Sequence, residues 1–94
     1  MNEELMNTYR KALAENLPML RTKLKMTQEE LANILDISRH TIIGIETQSR
    51  TMTWTTYLSL IYILKKFNET RDMVEILGLV PTEFDTMLSE RAVD

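Results

Sequence analysis

Residues 27–46 read TQEELANILDISRHTIIGIE, and this stretch decides the fold. Thr27 and Glu30 stand at capping-box spacing, where a hydroxyl and an acid three residues on can satisfy each other's backbone N–H groups. Leu31, Ile34 and Leu35 follow at spacings of three and four, which places them on one face of a helix. Leu35, Asp36 and Ile37 mark a tight turn. Ser38 is the next good N-cap, and a second helix starting at Arg39 turns Ile42 and Ile45 inward. Periodicity and capping thus predict two short helices in an αα-hairpin, a structural unit that by itself carries no function.

Upstream, residues 2–15 read as a helix with Asn2 as cap, Glu3 and Glu4 in its first turn, and a stripe of Leu5, Met6, Tyr9, Ala12 and Leu13. Such an extension could cover its own domain or clasp a partner subunit. Asn16 and Pro18 predict a break, because proline sits well only in a first turn. A short helix then holds Met19, Leu20 and Leu24, with Arg21, Thr22 and Lys23 on its polar side. Downstream, residues 47–53 form a polar connection without glycine. Thr53 caps a helix with Trp54 in its first turn and Tyr57, Leu58, Leu60, Ile61, Leu64 and Phe67 beyond, broad enough in apolar coverage to be central. Thr70 begins another helix with Met73, Val74, Ile76 and Leu77, and Gly78 stops it. After Pro81, Thr82 and Asp85 suggest a second capping box for a last helix with Phe84, Met87 and Leu88. Residues 91–94 read as a fraying end. With no period-two pattern, repeat or low-complexity run, the expectation is all-α, with six or seven helices.

Ninety-four residues make one small domain without room for a separate catalytic or effector-binding unit. The absence of cysteine removes disulfides and thiolate metal sites. There is neither a basic-then-apolar leader nor an apolar run of about eighteen residues, so Met1 reads as a natural start and a cytoplasmic location is expected, with no membrane partner. Net charge is -3, the wrong sign for a generic polyanion binder, but residues 21–50 carry five basic and four acidic side chains while residues 51–94 carry four against seven. Any contact with a polyanion must therefore be local. The HExxH spacing, phosphate-cradling glycine loop and nucleophile elbow are all missing, so an enzyme is not expected, nor a cofactor or metal.

The segment TQEELANILDISRHTIIGIE, preceded by LPMLRTKLKM, resembles the phage-repressor-like (xenobiotic-response-element-type) helix-turn-helix family. Its Thr27–Gln28 opening, Leu31–Ala32 pair, Ser38–Arg39 entry and Ile45–Glu46 ending all fall in register across about half the chain. The resemblance implies a compact lambda-repressor-like five-helix DNA-binding domain. Residues 1–15 become an N-terminal helical extension, residues 16–78 the domain, and residues 79–94 a C-terminal helical extension. The chain departs from the family at four places. Lys25 and Asp36 stand where glycine ends the first helix and makes the central turn, and a different exit geometry is expected at Lys25 because a left-handed lysine is strained. Ile43 replaces a small polar residue, and Gln48-Ser49-Arg50 replaces a glycine-containing loop.

The resemblance also implies directions for side chains. Arg39, His40 and Ile43 would face base edges, with the Arg39 fork suited to guanine, the His40 imidazole able to donate or accept, and the Ile43 methyls suited to thymine. Gln28, Thr41, Arg50 and Thr53 would contact phosphates and set position. Thr27 and Ser38 would cap, while Arg21 and Glu46 would pair to hold the second helix. The implied partners are double-stranded DNA and a second copy in a homodimer, with no small-molecule effector, and the implied role is transcriptional regulation, most simply repression. Trp54, Phe67, Met73, Val74 and Leu77, extended by Phe84, Met87 and Leu88, would supply the dimer surface or else close the monomer core. The competing expectation is a protein-interaction module that keeps this fold without binding DNA.

Overall fold

A computed structural model describes residues 1–92; Val93 and Asp94, part of the expected fraying end, lie outside the described residues. Six helices run in the order α1 (Glu3–Lys23), α2 (Gln28–Leu35), α3 (Arg39–Glu46), α4 (Trp54–Lys66), α5 (Asn68–Ile76) and α6 (Thr82–Ala92), with no strand among the described residues. The chain is all-α, as its periodicity predicts. None of these helices is long and apolar enough to cross a membrane.

The expected break at Asn16 and Pro18 does not occur. α1 is one helix of 21 residues with Pro18 inside it. An interior proline forfeits a backbone hydrogen bond and costs about 3 kcal/mol. Leu13, Leu17 and Leu20 lie on one side of the same helix and are fully buried, and burying each side chain is worth roughly 1.5–3 kcal/mol. Burial wins, so the helix continues. The Asn16 amide folds back to donate to Ala12 O (2.8 Å), and the Thr22 hydroxyl donates to Pro18 O (2.7 Å). Residues 1–15 and 79–94 also share the core of the central segment: Leu13, Ala14 and Leu79 belong to the same buried cluster as Leu31, Ile42, Ile45, Tyr57 and Leu60.

Helices α1, α2 and α5 end alike. At Lys25, Asp36 and Gly78 the chain turns left-handed, with φ of 56°, 55° and 69°. In each case the next N–H reaches back five residues: Met26 to Arg21 O, Ile37 to Ala32 O, and Leu79 to Val74 O. This is the Schellman pattern, which satisfies carbonyls that a helix end leaves open. The altered exit geometry expected at Lys25 is therefore not found; lysine adopts the strained conformation itself. It does so because Met26, half-buried against the core, must be turned inward immediately afterwards.

α1 packs on α3, α4 and α5, while α2 packs on α3 and α4 on α5. Thr70, expected to open α5, lies within it, fully buried, and its hydroxyl donates to Leu64 O (2.5 Å) to close the α4–α5 corner. Two expected dimer residues are taken up inside the monomer. Val74 is fully buried, and Trp54 stacks on Tyr57 (4.4 Å between centroids) with Phe84 edge-on (6.1 Å). The same contacts dock α6, helped by the Tyr9 hydroxyl donating to Glu83 (3.3 Å). Thr82 is the first residue of α6 and its hydroxyl turns toward Glu83, not toward a capping box with Asp85.

The Tyr57 hydroxyl is buried and donates to Leu79 O, tying α4 to the chain beyond α5. Burial pushes its pKa well above the ordinary tyrosine value of 10.0. Above that value the unfolded chain loses this proton while the folded chain keeps it, so stability falls as pH rises past the ordinary range. Tyr57→Phe is expected to lower stability by about 1–2 kcal/mol at neutral pH and to flatten the alkaline loss, as read from urea unfolding at stepped pH. Lys25→Gly is expected to raise stability by roughly 0.5–1 kcal/mol by removing left-handed strain, as read in the same assay.

Candidate nucleic-acid interface

Helices α2 and α3 are set by their caps. The Thr27 hydroxyl accepts from Glu30 N (3.0 Å), and the Glu30 carboxylate accepts from Thr27 N (2.9 Å), so the expected box is present. These hydrogen bonds hold the Glu30 carboxyl below its ordinary pKa. Asp36 makes the turn, and Ser38 caps α3 by accepting from Thr41 N (3.0 Å). Ile42 and Ile45 anchor α3 in the core, with Ile42 fully buried.

The far end of α3 is held by Glu46. The Arg21 guanidinium donates to both of its carboxylate oxygens, from Nε (2.8 Å) and Nη2 (3.1 Å), and the Gln28 amide donates to Oε1 (3.0 Å). Arg21 also donates to Met26 O (2.9 Å), the residue that follows the α1 turn. The Glu46 side chain is 6% exposed and that of Arg21 16%. Hydrogen bonding to Glu46 raises the Arg21 pKa above its ordinary value. One carboxylate therefore joins α1, α2 and α3. Gln28, expected at a phosphate, gives one of its two amide N–H donors to this clamp.

At the near end, Arg39 and His40 are exposed in the first turn of α3, and Arg39 shares a shallow groove with Arg21, Thr27, Gln28 and Glu29. Ile43, one turn on, is half-buried. Thr41 is half-buried too, and its hydroxyl is engaged by Ser38 Oγ (2.9 Å) and by Arg50 Nη1 (3.2 Å). Arg50 reaches it by lying across Gly44, where an added Cβ would come within 3.2 Å of Arg50 Cβ. Thr53 caps α4 by accepting from Thr56 N (3.1 Å) and stays exposed. The structure thus groups Arg39 and His40 as exposed neighbours, gathers Arg21, Gln28 and Glu46 into a clamp, and links Thr41 to Arg50.

No family model matches this chain, and neither a curated protein nor a solved structure matches it.

Two features escaped the sequence reading. Gln48 takes a left-handed conformation (φ 61°) where no turn residue announces it, and the Arg50 N–H then closes the loop onto Gly44 O (3.1 Å). Arg10 is buried, three, four and seven residues before Leu13, Ala14 and Leu17 on the buried face of α1. Helical period, which sets Arg10 among these residues and Lys11 about 100° further round, is the signal that could have found it. Among the described residues no group of three or more His, Asp or Glu side chains could hold a metal ion.

An exposed arginine and imidazole at a helix start offer hydrogen-bond donors whose placement depends on how rigidly α3 is held. Glu46→Ala strands the Arg21 charge against the core and is expected to cost about 3 kcal/mol. The double variant with Arg21→Met and Glu46→Met should recover most of that loss. Urea unfolding of Arg21→Met, Glu46→Met and the pair measures the coupling.

Proposed function

We propose that this chain binds duplex DNA sequence-specifically through α3, as a homodimeric regulator of transcription with a lambda-repressor-like arrangement. Repression by occupying a promoter is the simplest output. The observation that carries this reading is the pairing of Arg39 and His40, both exposed at the start of α3, with a buried clamp at its other end. Donors on a helix whose two ends are fixed are what major-groove readout uses, and a bidentate arginine is worth about 1–3 kcal/mol of discrimination at one base. Thr53, at the start of α4, and Arg50, in the preceding loop, supply phosphate contacts that set register. The resemblance of residues 27–46 to phage-repressor-like regulators supports the same direction.

A second copy fits the exposed apolar side chains left on α5 and α6, chiefly Ile76, Leu77, Met87 and Leu88, together with Phe67. Two-fold pairing there would present two α3 helices to half-sites roughly 34–36 Å apart. A location among the cell's DNA, in the cytoplasm, follows from this reading, and no reaction is assigned to the chain.

One observation favours the interaction-module reading. Ile34, Leu58 and Tyr62 are exposed around an apolar groove between α2 and α4.

Selection from random duplexes separates the two. A defined motif is expected, with Arg39→Ala weakening it about tenfold or more at its specific base pair while leaving non-specific binding nearly unchanged. No enriched motif, with Arg39→Ala indistinguishable from wild type across a salt series, sinks the DNA reading in favour of the interaction module. Light scattering across concentration is expected to show a dimer that Leu77→Asp and Met87→Asp dissociate.

A further inference from the structure

Between the N-terminal half of α1 and the loop after α3 lies a concave notch of about 450 Å³. Arg10, Lys11 and Arg50 line it, with Asn7, Gln48 and Thr51, and no carboxylate is among its lining residues. Three cations converging on one hollow is unusual in a chain of formal charge -3.

Arg10 makes the notch more than a charged surface. Its side chain is only 10% exposed. Nη2 donates to the exposed Glu3 carboxylate (2.6 Å) and to Asn7. Nε is buried and has no hydrogen-bond partner. A buried guanidinium N–H left unmatched is costly, and such groups call for an acceptor. Glu3 neutralises one charge from the rim, which leaves Lys11 and Arg50 without a carboxylate inside the notch.

We infer that this notch binds a phosphate group. Guanidinium, ammonium, hydroxyl and amide groups lining one hollow match an oxyanion with several acceptor oxygens, and arginine favours phosphate through its planar fork. Arg50 keeps donors beyond the one it gives to Thr41. A cation would meet Lys11 and Arg50 with no carboxylate lining the hollow, and a neutral apolar group would leave their donors without an acceptor. The left-handed turn at Gln48 brings Arg50 and Thr51 to the notch, so α1 and the α3–α4 loop must be packed together for the site to exist. The inference shares Arg50 with the DNA reading but stands on Arg10 and Lys11, which that reading does not use. A phosphodiester of a bound duplex and a free phosphorylated small molecule present the same chemistry, and the experiment separates them.

The test uses the full chain, following the arginine Nε–Hε resonances during titration with inorganic phosphate against chloride at matched ionic strength. The Arg10 resonance is expected to shift saturably with phosphate at millimolar concentration. Arg10→Lys, which keeps the charge but lacks the fork, should weaken phosphate at least about tenfold, with unchanged circular dichroism. Lys11→Gln should weaken it less. An Arg10 resonance that responds to phosphate only as it does to chloride overturns the inference, as does wild-type affinity in Arg10→Lys. A selected duplex that displaces phosphate from Arg10 supports the notch as a backbone-phosphate seat. Phosphate that stays bound beside the duplex, or binds when no duplex does, supports it as a seat for a phosphorylated small molecule.

Discussion

The Glu46 carboxylate is the constraint on which the rest of the arrangement depends. It takes two hydrogen bonds from Arg21 at the end of α1 and one from Gln28 at the start of α2, while sitting at the last turn of α3. Three helices therefore meet at one nearly buried charge. Such a pair adds little net stability over an apolar substitute, since desolvation offsets much of its Coulomb energy. Its contribution is directional. The Arg21 fork admits few geometries, so α3 is fixed in rotation as well as depth, and the exposure of Arg39 and His40 follows from that rotation.

The helix ends work to the same purpose. α1, α2 and α5 stop at left-handed residues, only one of which is glycine. Strain of about 1–2 kcal/mol at Lys25 and a smaller amount at Asp36 is accepted because each turn places the next apolar side chain, Met26 or Ile37, against the core. Local strain and global packing are opposed here, and packing prevails. The same balance keeps α1 continuous through Pro18. Long α1 in turn forms the platform on which α3, α4 and α5 rest, and it brings Arg10 and Lys11 next to the loop that leaves α3.

Charge follows this architecture. The chain is acidic overall, yet Arg39, His40, Arg50, Lys11 and Arg10 lie on or beside α3, its following loop and the part of α1 that flanks them. Six of the fourteen acidic residues lie on α5 and α6. A surface of this kind has little long-range attraction for a polyanion and must rely on short-range hydrogen bonds, which favours selective over indiscriminate contact.

Much of this was legible in the residues themselves. The caps at Asn2, Thr27, Ser38 and Thr53, the stop at Gly78, and the inward faces of α2, α3 and α4 are local matters, decided by hydrogen bonds within four residues and by helical period. So is the pairing of Ile42 and Ile45 with the core. What the chain alone could not decide were the competitions between distant groups. Whether Pro18 breaks a helix depends on what Leu13, Leu17 and Leu20 are buried against. Whether Gln28 is free depends on where Glu46 lies, eighteen residues away. Whether Trp54 and Val74 face a second copy or their own core depends on where α6 and α1 come to rest. And whether the Arg10 guanidinium, on the inward face of α1, finds acceptors for all its N–H groups depends on what packs over it. Short-range bonding determined the caps and inward faces of α2, α3 and α4; only the tertiary packing decided how far α1 runs and which polar groups were left with something still to bind.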